Sequence, residues 1–171
     1  MKIGIMGGTF NPIHNAHLLI AEMAREEYGL DRVIFITDGN PPHKSANVTA
    51  KQRFEMTHIA IADNSAFEED DFEINRSEKS YTVNTLGYLK EKYPNDDLFF
   101  IIGEDSLNDF DKWYKPDKIL EMCSLLVFPR KSLKSLTETI KAVKEKMNGR
   151  NIFNGYKKQS EKRSDGKIYA A

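Results

Sequence analysis

The stretch Gly7-Gly8-Thr9-Phe10-Asn11-Pro12-Ile13-His14-Asn15-Ala16-His17 gathers the residue types best able to handle a phosphate. Two adjacent glycines let a backbone pass close to an anion. His14 and His17 are three residues apart at a predicted helix start, a spacing that puts both imidazoles on one face. The same helix start contributes free N–H groups and the positive end of the helix dipole. Together these features make a site for a polyanion. A metal site is an alternative, although no Glu follows the first His as it does in zinc proteases. A purely structural His pair is another.

These residues need elements to hold them, and apolar segments of two kinds alternate along the chain. Lys2 to Met6 reads as a short strand ending at Gly7-Gly8, and Asn15 to Tyr28 has helical spacing. Arg32 to Thr37 (RVIFIT) reads as a second strand, followed by a loop from Asp38 to Asn47 with Gly39 and Pro41-Pro42. Thr49 to Ala62 reads as helix, Phe72 to Asn75 as a third strand, and Thr82 to Tyr93 as a helix closed by Pro94. Leu98 to Ile102 (LFFII) has the continuous apolar run of a strand buried on both faces, and Leu125 to Phe128 looks similar. Leu133 to Met147 is a final amphipathic helix. This alternation predicts an α/β fold: one domain over residues 1–147, a parallel sheet with helices on both faces. Residues 148–171 are expected to form a polar tail, solvated or disordered, with a basic run from Lys157 to Lys167. Ligands of such sheets sit beyond the carboxyl ends of the strands.

Composition narrows the function. The chain has 171 residues, 40% of them hydrophobic, and a formal net charge of −1, so no global basic field points to nucleic acid. No apolar run is long enough for a bilayer, and the N-terminus lacks the apolar core of a signal peptide. The single cysteine, Cys123, lies in an apolar run and reads as a small buried hydrophobe. The setting expected is cytoplasmic.

The remaining candidates follow the strands. Gly39-Asn40-Pro41-Pro42-His43-Lys44 is a proline-stiffened loop in which Asn40 and Lys44 supply donors, although Lys44 alone would pass for a solvated surface charge. In Ser80-Tyr81-Thr82-Val83-Asn84-Thr85-Leu86, Thr82 stands at a helix start, where a plain N-cap is the competing reading. Ile101-Ile102-Gly103-Glu104-Asp105-Ser106-Leu107 follows the LFFII strand. Trp113-Tyr114 lies in a polar context that is odd for a core tryptophan, and Pro129-Arg130 follows the next strand.

Taken together, the motifs resemble a known family. GGTFNPIHNAHL resembles the signature of nucleotidyltransferases with an HxGH motif. The GNPPHK loop, SYTVNTL, IIGEDSL, Trp113-Tyr114 and Pro129-Arg130 are similar to segments of the bacterial nicotinate mononucleotide adenylyltransferases. The likeness runs from residue 1 to about residue 130. It implies a single Rossmann-like domain that transfers AMP from ATP to nicotinate mononucleotide, giving deamido-NAD and pyrophosphate. It implies that His14 and His17 bind the ATP phosphates and stabilise charge as pyrophosphate leaves. Gly7, Gly8, Thr9, Phe10, Gly103 and Asp105 would complete the ATP site. Asn40, Lys44, Thr82, Asp105, Trp113, Tyr114 and Arg130 would hold the mononucleotide, with Thr82 at the pyridine carboxylate, Trp113 against the ring and Arg130 clamping a phosphate. Mg²⁺ would arrive with ATP, held mostly by substrate oxygens and water rather than by a protein cage. The expected partners are ATP and nicotinate mononucleotide, with neither nucleic acid nor membrane; a homo-oligomer is an option.

Two departures bear on activity. Ala16 stands where the family more often has Gly, and no counterpart of the family's late ISSTxxR phosphate clamp is found in Asn148 to Ala171. A truncated or altered member with impaired turnover is therefore the expectation. The competing readings are a homologue that binds nucleotides without turnover, and another HxGH enzyme such as phosphopantetheine adenylyltransferase or a cytidylyltransferase. The GNPPHK loop and Trp113 argue against the latter two.

Overall fold

A computed structural model of the protein describes residues 1–39, 48–130, 132–147, 149 and 151–156. The runs rich in β-branched and aromatic residues form the middle of the sheet: β1 (Lys2–Gly8), β2 (Arg32–Thr37), β4 (Asp97–Gly103) and β5 (Ser124–Phe128). The outer strands are β3 (Phe67–Asp70) and β6 (Ile152–Asn154). All pairings are parallel, in the order β3-β2-β1-β4-β5-β6. Among the described residues six helices cover the sheet: α1 (Asn15–Tyr28), α2 (Ala50–Ile61), α3 (Thr82–Lys92), α4 (Glu104–Asn108), α5 (Pro116–Met122) and α6 (Leu133–Met147), with a short 3₁₀ turn at Phe110–Lys112.

Successive side chains of a strand point to opposite faces, so each central strand feeds two cores. Ile34, Ile36, Phe100, Ile102, Leu125 and Val127 pack beneath α3, α5 and α6, where Leu86, Leu89, Ile119 and Leu136 are buried. Val33, Phe35, Ile101 and Leu126 face Ala21 and Ala24 of α1 and Ile61 of α2. A two-faced core is why the central strands read as unbroken apolar runs.

The structure corrects two expectations. The third strand is Phe67–Asp70, not Phe72 to Asn75. As an edge strand it carries the polar sequence FEED, which hides it from a search for apolar alternation. Phe72 instead sits in a turn, its N–H bonded to Asp70 Oδ1 at 2.9 Å and its ring stacked on Tyr88 at 4.1 Å. The expected boundary at residue 147 falls inside the folded unit. Ile152 is fully buried and pairs with Leu125, and Gly155 N–H donates to Val127 O at 2.8 Å. Asn151 Nδ2 donates to Leu120 O at 2.7 Å, and the Tyr156 ring meets Phe128 edge-on. The basic run from Lys157 lies outside the described residues. Among those that are described, no helix is long and apolar enough to cross a membrane. Cys123 is buried, which pushes its thiol up to about 12 and leaves it a packing group.

If β6 belongs to the cooperative fold, Ile152→Ala should cost roughly 2–5 kcal/mol, the usual range for emptying a buried Ile site. Urea unfolding measures this; a midpoint equal to that of the parent would return Ile152 to the tail.

Candidate active site

In this strand order the chain leaves β1 for β2 on one side and reaches β4 on the other. Connections therefore diverge between β1 and β4, and a crevice opens beyond their carboxyl ends. The protein has such a cleft, of about 1200 Å³, floored by the ends of β1, β2 and β4. A pocket for one drug-sized ligand typically holds roughly 300–1,000 Å³, so this cleft has room for two substrates side by side.

The first wall is the loop after β1 and the start of α1. Gly7, Gly8, Thr9 and His17 line it. A Cβ on Gly8 would lie 2.9 Å from the Phe10 ring, so the glycine lets that ring close over the strand end. Phe10 itself is buried with φ of +48°, a costly conformation for a bulky residue and one that tends to mark functional loops. Its ring does not line the cleft; it meets His17 edge-to-face at 5.2 Å. On the other side the exposed His14 ring lies 3.9 Å from that of His17.

His17 is thereby held in one orientation, and its protonation follows. The backbone N–H of His14 donates to His17 Nδ1 at 3.2 Å. A nitrogen that accepts carries no proton, so the ring proton sits on Nε2. Partial burial, and then the neighbouring His14, lower the His17 pKa from its ordinary 6.5. His17 thus offers the cleft a neutral N–H donor.

Two residues that the sequence reading did not single out support this wall. Arg53 of α2 is buried, and its Nη1 donates to Thr9 O at 2.6 Å while Nε donates to Val48 O at 3.3 Å. Asp38, just past β2, lines the cleft; its N–H donates to Gly8 O at 2.9 Å and its Oδ2 lies 3.5 Å from Thr9 Oγ1. Asp38 follows a strand, so the strand-end rule could have found it. A buried Arg in a predicted helix gives no comparable signal.

The opposite wall is the start of α3 and the aromatic segment after α4. Tyr81, Thr82, Trp113 and Tyr114 line it, with the Tyr81 and Tyr114 rings 4.8 Å apart. Tyr81 is the N-cap and Thr82 the first helical residue, so the plain N-cap reading of Thr82 does not hold. The Trp113 ring packs on Phe110 (5.2 Å) and edge-on to Phe100 (6.2 Å), as a core residue would, and Trp113 also borders the cleft. Glu73, from the turn after β3, lies at the base of this wall. It is buried and accepts from Thr85 Oγ1 at 2.5 Å.

Gly103 and Asp105 close the cleft at the end of β4. Between them Glu104 turns inward and anchors α4 to α6, accepting from Ser135 Oγ at 2.6 Å and Thr139 Oγ1 at 3.1 Å. Those hydroxyls, Ser135 first, hold its carboxyl below the usual range. Glu104 also accepts from Arg130 N–H at 3.3 Å. The exposed Arg130 guanidinium is ion-paired to Asp105, and so stands at the rim rather than in the lining. Asn40 and Lys44 lie outside the described residues. Among the described residues no group of three His, Cys, Asp or Glu side chains could hold a metal ion.

The cytidylyltransferase-like family model matches residues 5–161. The chain belongs to this family. A "Probable nicotinate-nucleotide adenylyltransferase" from Citrifermentans bemidjiense is 48% identical over 82% of this chain and 67% of its own length. One of the same name from Geobacter sulfurreducens is 50% identical over 76% of this chain and 61% of its own length. The chain thus spans roughly two thirds of the length of these curated relatives. A solved structure of Plasmodium falciparum nicotinic acid mononucleotide adenylyltransferase complexed with NaAD superposes with a TM-score of 0.68 at 24% identity, covering 81% of this chain and 70% of that one, a likeness of fold. Nucleotidyltransferases of this family typically use a divalent metal with ATP. The described side chains do not form a cage for one.

A neutral, Nε2-protonated His17 is directly observable. In ¹⁵N-resolved NMR of the free protein near neutral pH, its two ring nitrogens should differ strongly in shift, and it should charge only below its ordinary 6.5. Two equivalent ring nitrogens at neutral pH would show an imidazolium instead.

Proposed function

We propose that this protein is a nicotinate-nucleotide adenylyltransferase: it transfers AMP from ATP to nicotinate mononucleotide, releasing pyrophosphate and forming deamido-NAD. The observation that carries this reading is the cleft itself. One wall bears a glycine loop and an oriented His17, fitted to phosphates; the facing wall bears Trp113, Tyr114, Tyr81 and Thr82, fitted to a flat ring with a polar substituent.

ATP would lie along Gly7, Gly8 and Thr9, with its base towards Gly103 and Asp105. The mononucleotide would lie opposite, its pyridine ring against Trp113 and its carboxylate near Thr82. The nucleophile is the mononucleotide phosphate, already anionic, so no general base is required. It would attack the α-phosphorus in line and expel pyrophosphate. Catalysis then rests on positioning and on donors aimed at developing charge. His17 Nε2–H is such a donor, and His14 supplies its anchor. Arg130, paired with Asp105 in the free protein, would exchange that partner for a substrate phosphate. Asn40 and Lys44 would serve the mononucleotide. Mg²⁺ would accompany the ATP phosphates. The setting for these substrates is the cytoplasm.

Pyrophosphate release from ATP plus nicotinate mononucleotide tests the reading. Release that requires both substrates is expected, and none with pantetheine phosphate or CTP as replacements. His17→Ala should lower turnover by about 10²–10³, the scale for losing one preorganised donor, with little change in mononucleotide affinity. Trp113→Ala should weaken mononucleotide binding by roughly 1–3 kcal/mol, as for aromatic stacking on bases, and ATP binding much less. Equal losses for both ligands would make Trp113 a core residue only. Binding of both substrates without pyrophosphate release would favour a homologue that has lost turnover.

A further inference from the structure

The two walls of the cleft meet at a pair of carboxyl groups that the reaction does not use. Asp38 belongs to the phosphate wall through its bonds to Gly8 and Thr9. Glu73 belongs to the opposite wall through Thr85 of α3, and it borders the cleft beside Ser80, Tyr81 and Thr82. The backbones also meet here. A Cβ on Gly39 would fall 2.0 Å from Glu73 O, so the chain after Asp38 presses against the turn that carries Glu73, and only glycine permits this approach. Glu73 is only 6% exposed, and its Oε2 has no hydrogen-bond partner.

A buried carboxyl with a second carboxyl in its neighbourhood resists ionisation. Burial, reinforced by Asp38, raises Glu73 to about 7. Other groups around it leave this assignment intact. Ser80 and Thr85 offer neutral hydroxyls. The buried Arg53 guanidinium interacts electrostatically with Asp38, on the side of the phosphate wall. Arg76, on Glu73's own turn, is engaged by Glu78 and by the Phe72 ring. Glu78 and Lys79 border a small pocket that Glu73 also lines.

We propose that Glu73 is a positioning residue of the cleft: bonded to Thr85 and kept protonated near Asp38, it lets the start of α3, with Ser80, Tyr81 and Thr82, stay close against the loop after β1. Loss of that proton puts two negative charges where the walls join and drives them apart. The substrate that suffers is the one recognised by the α3 wall, the pyridine mononucleotide of the function proposed above, on which this inference rests. ATP, held by the glycine loop and His17, is affected less.

The proposal predicts a split in pH dependence. For the parent, KM for nicotinate mononucleotide should rise about tenfold between about pH 6 and about pH 8, one proton being lost near the middle of that range. KM for ATP should move less than about twofold. Glu73→Gln keeps the shape and the contact with Thr85 but has no proton to lose, so its mononucleotide KM should stay flat. Glu73→Ala should have a raised KM at every pH. A structural role alone would give Glu73→Gln the same pH profile as the parent.

A second readout needs no substrate. A folded-state pKa of about 7 against 4.5 for an ordinary Glu means the native protein binds the extra proton. The stability from that proton is present below about 4.5 and is lost as pH rises through about 7. Thermal unfolding of the parent should therefore weaken relative to Glu73→Gln from about pH 4.5 to about pH 7. If the two melt in parallel across that range, the proposal is overturned whatever the enzyme's activity. If the melting curves diverge as expected but neither substrate is turned over, the carboxyl pair stands and the adenylyltransferase reading falls.

Discussion

The feature on which the site depends is the reversal of strand order at β1. Parallel strands need crossovers, and crossovers on the two sides of β1 leave in opposite directions. The space beyond β1 and β4 therefore cannot be filled by a connecting helix. Whatever residues end those strands face one another across an opening, and here they are Gly7-Gly8-Thr9 and Ile102-Gly103. The cleft is a consequence of topology before any side chain is considered.

Side chains then convert an opening into a site by fixing what would otherwise move. The loop after β1 carries no regular structure, yet it is braced from several directions. Phe10 accepts a strained backbone to press its ring against His17, and Arg53 reaches in from α2 to hold the Thr9 carbonyl. A buried guanidinium bonded to backbone carbonyls is costly to desolvate. Its presence makes sense where geometry matters more than stability. The same holds for Glu104, buried within the α4 turn to fasten α6 while Asp105 beside it stays at the rim.

The walls differ in chemistry as well as in shape. One offers glycine backbone and a neutral imidazole donor, the other aromatic faces at Trp113, Tyr114 and Tyr81. Trp113 belongs to the core and to the cleft wall at once: its ring packs on Phe100 and Phe110, and the residue lines the cleft. Its polar neighbourhood in sequence, Asp109 to Lys118, reflects a segment that runs along a rim.

The sequence by itself determined the elements whose physics is local. Helix α1 over Asn15–Tyr28, strand β2 over Arg32–Thr37 and helix α6 over Leu133–Met147 match their patterns residue for residue, because period and composition are properties of neighbouring residues. The glycine pair and the His14/His17 spacing were legible for the same reason. Edge strands were not. β3 reads FEED and β6 only IFN, and both exist through pairing with strands already in place rather than through their own patterns. Nor were Asp38, Glu73 and Arg53 legible as a group. They lie on three separate elements, and no spacing relates a residue after β2 to one after β3 and one within α2. Only the tertiary structure brings them together, because burial and charge proximity depend on which surfaces the sheet order sets side by side.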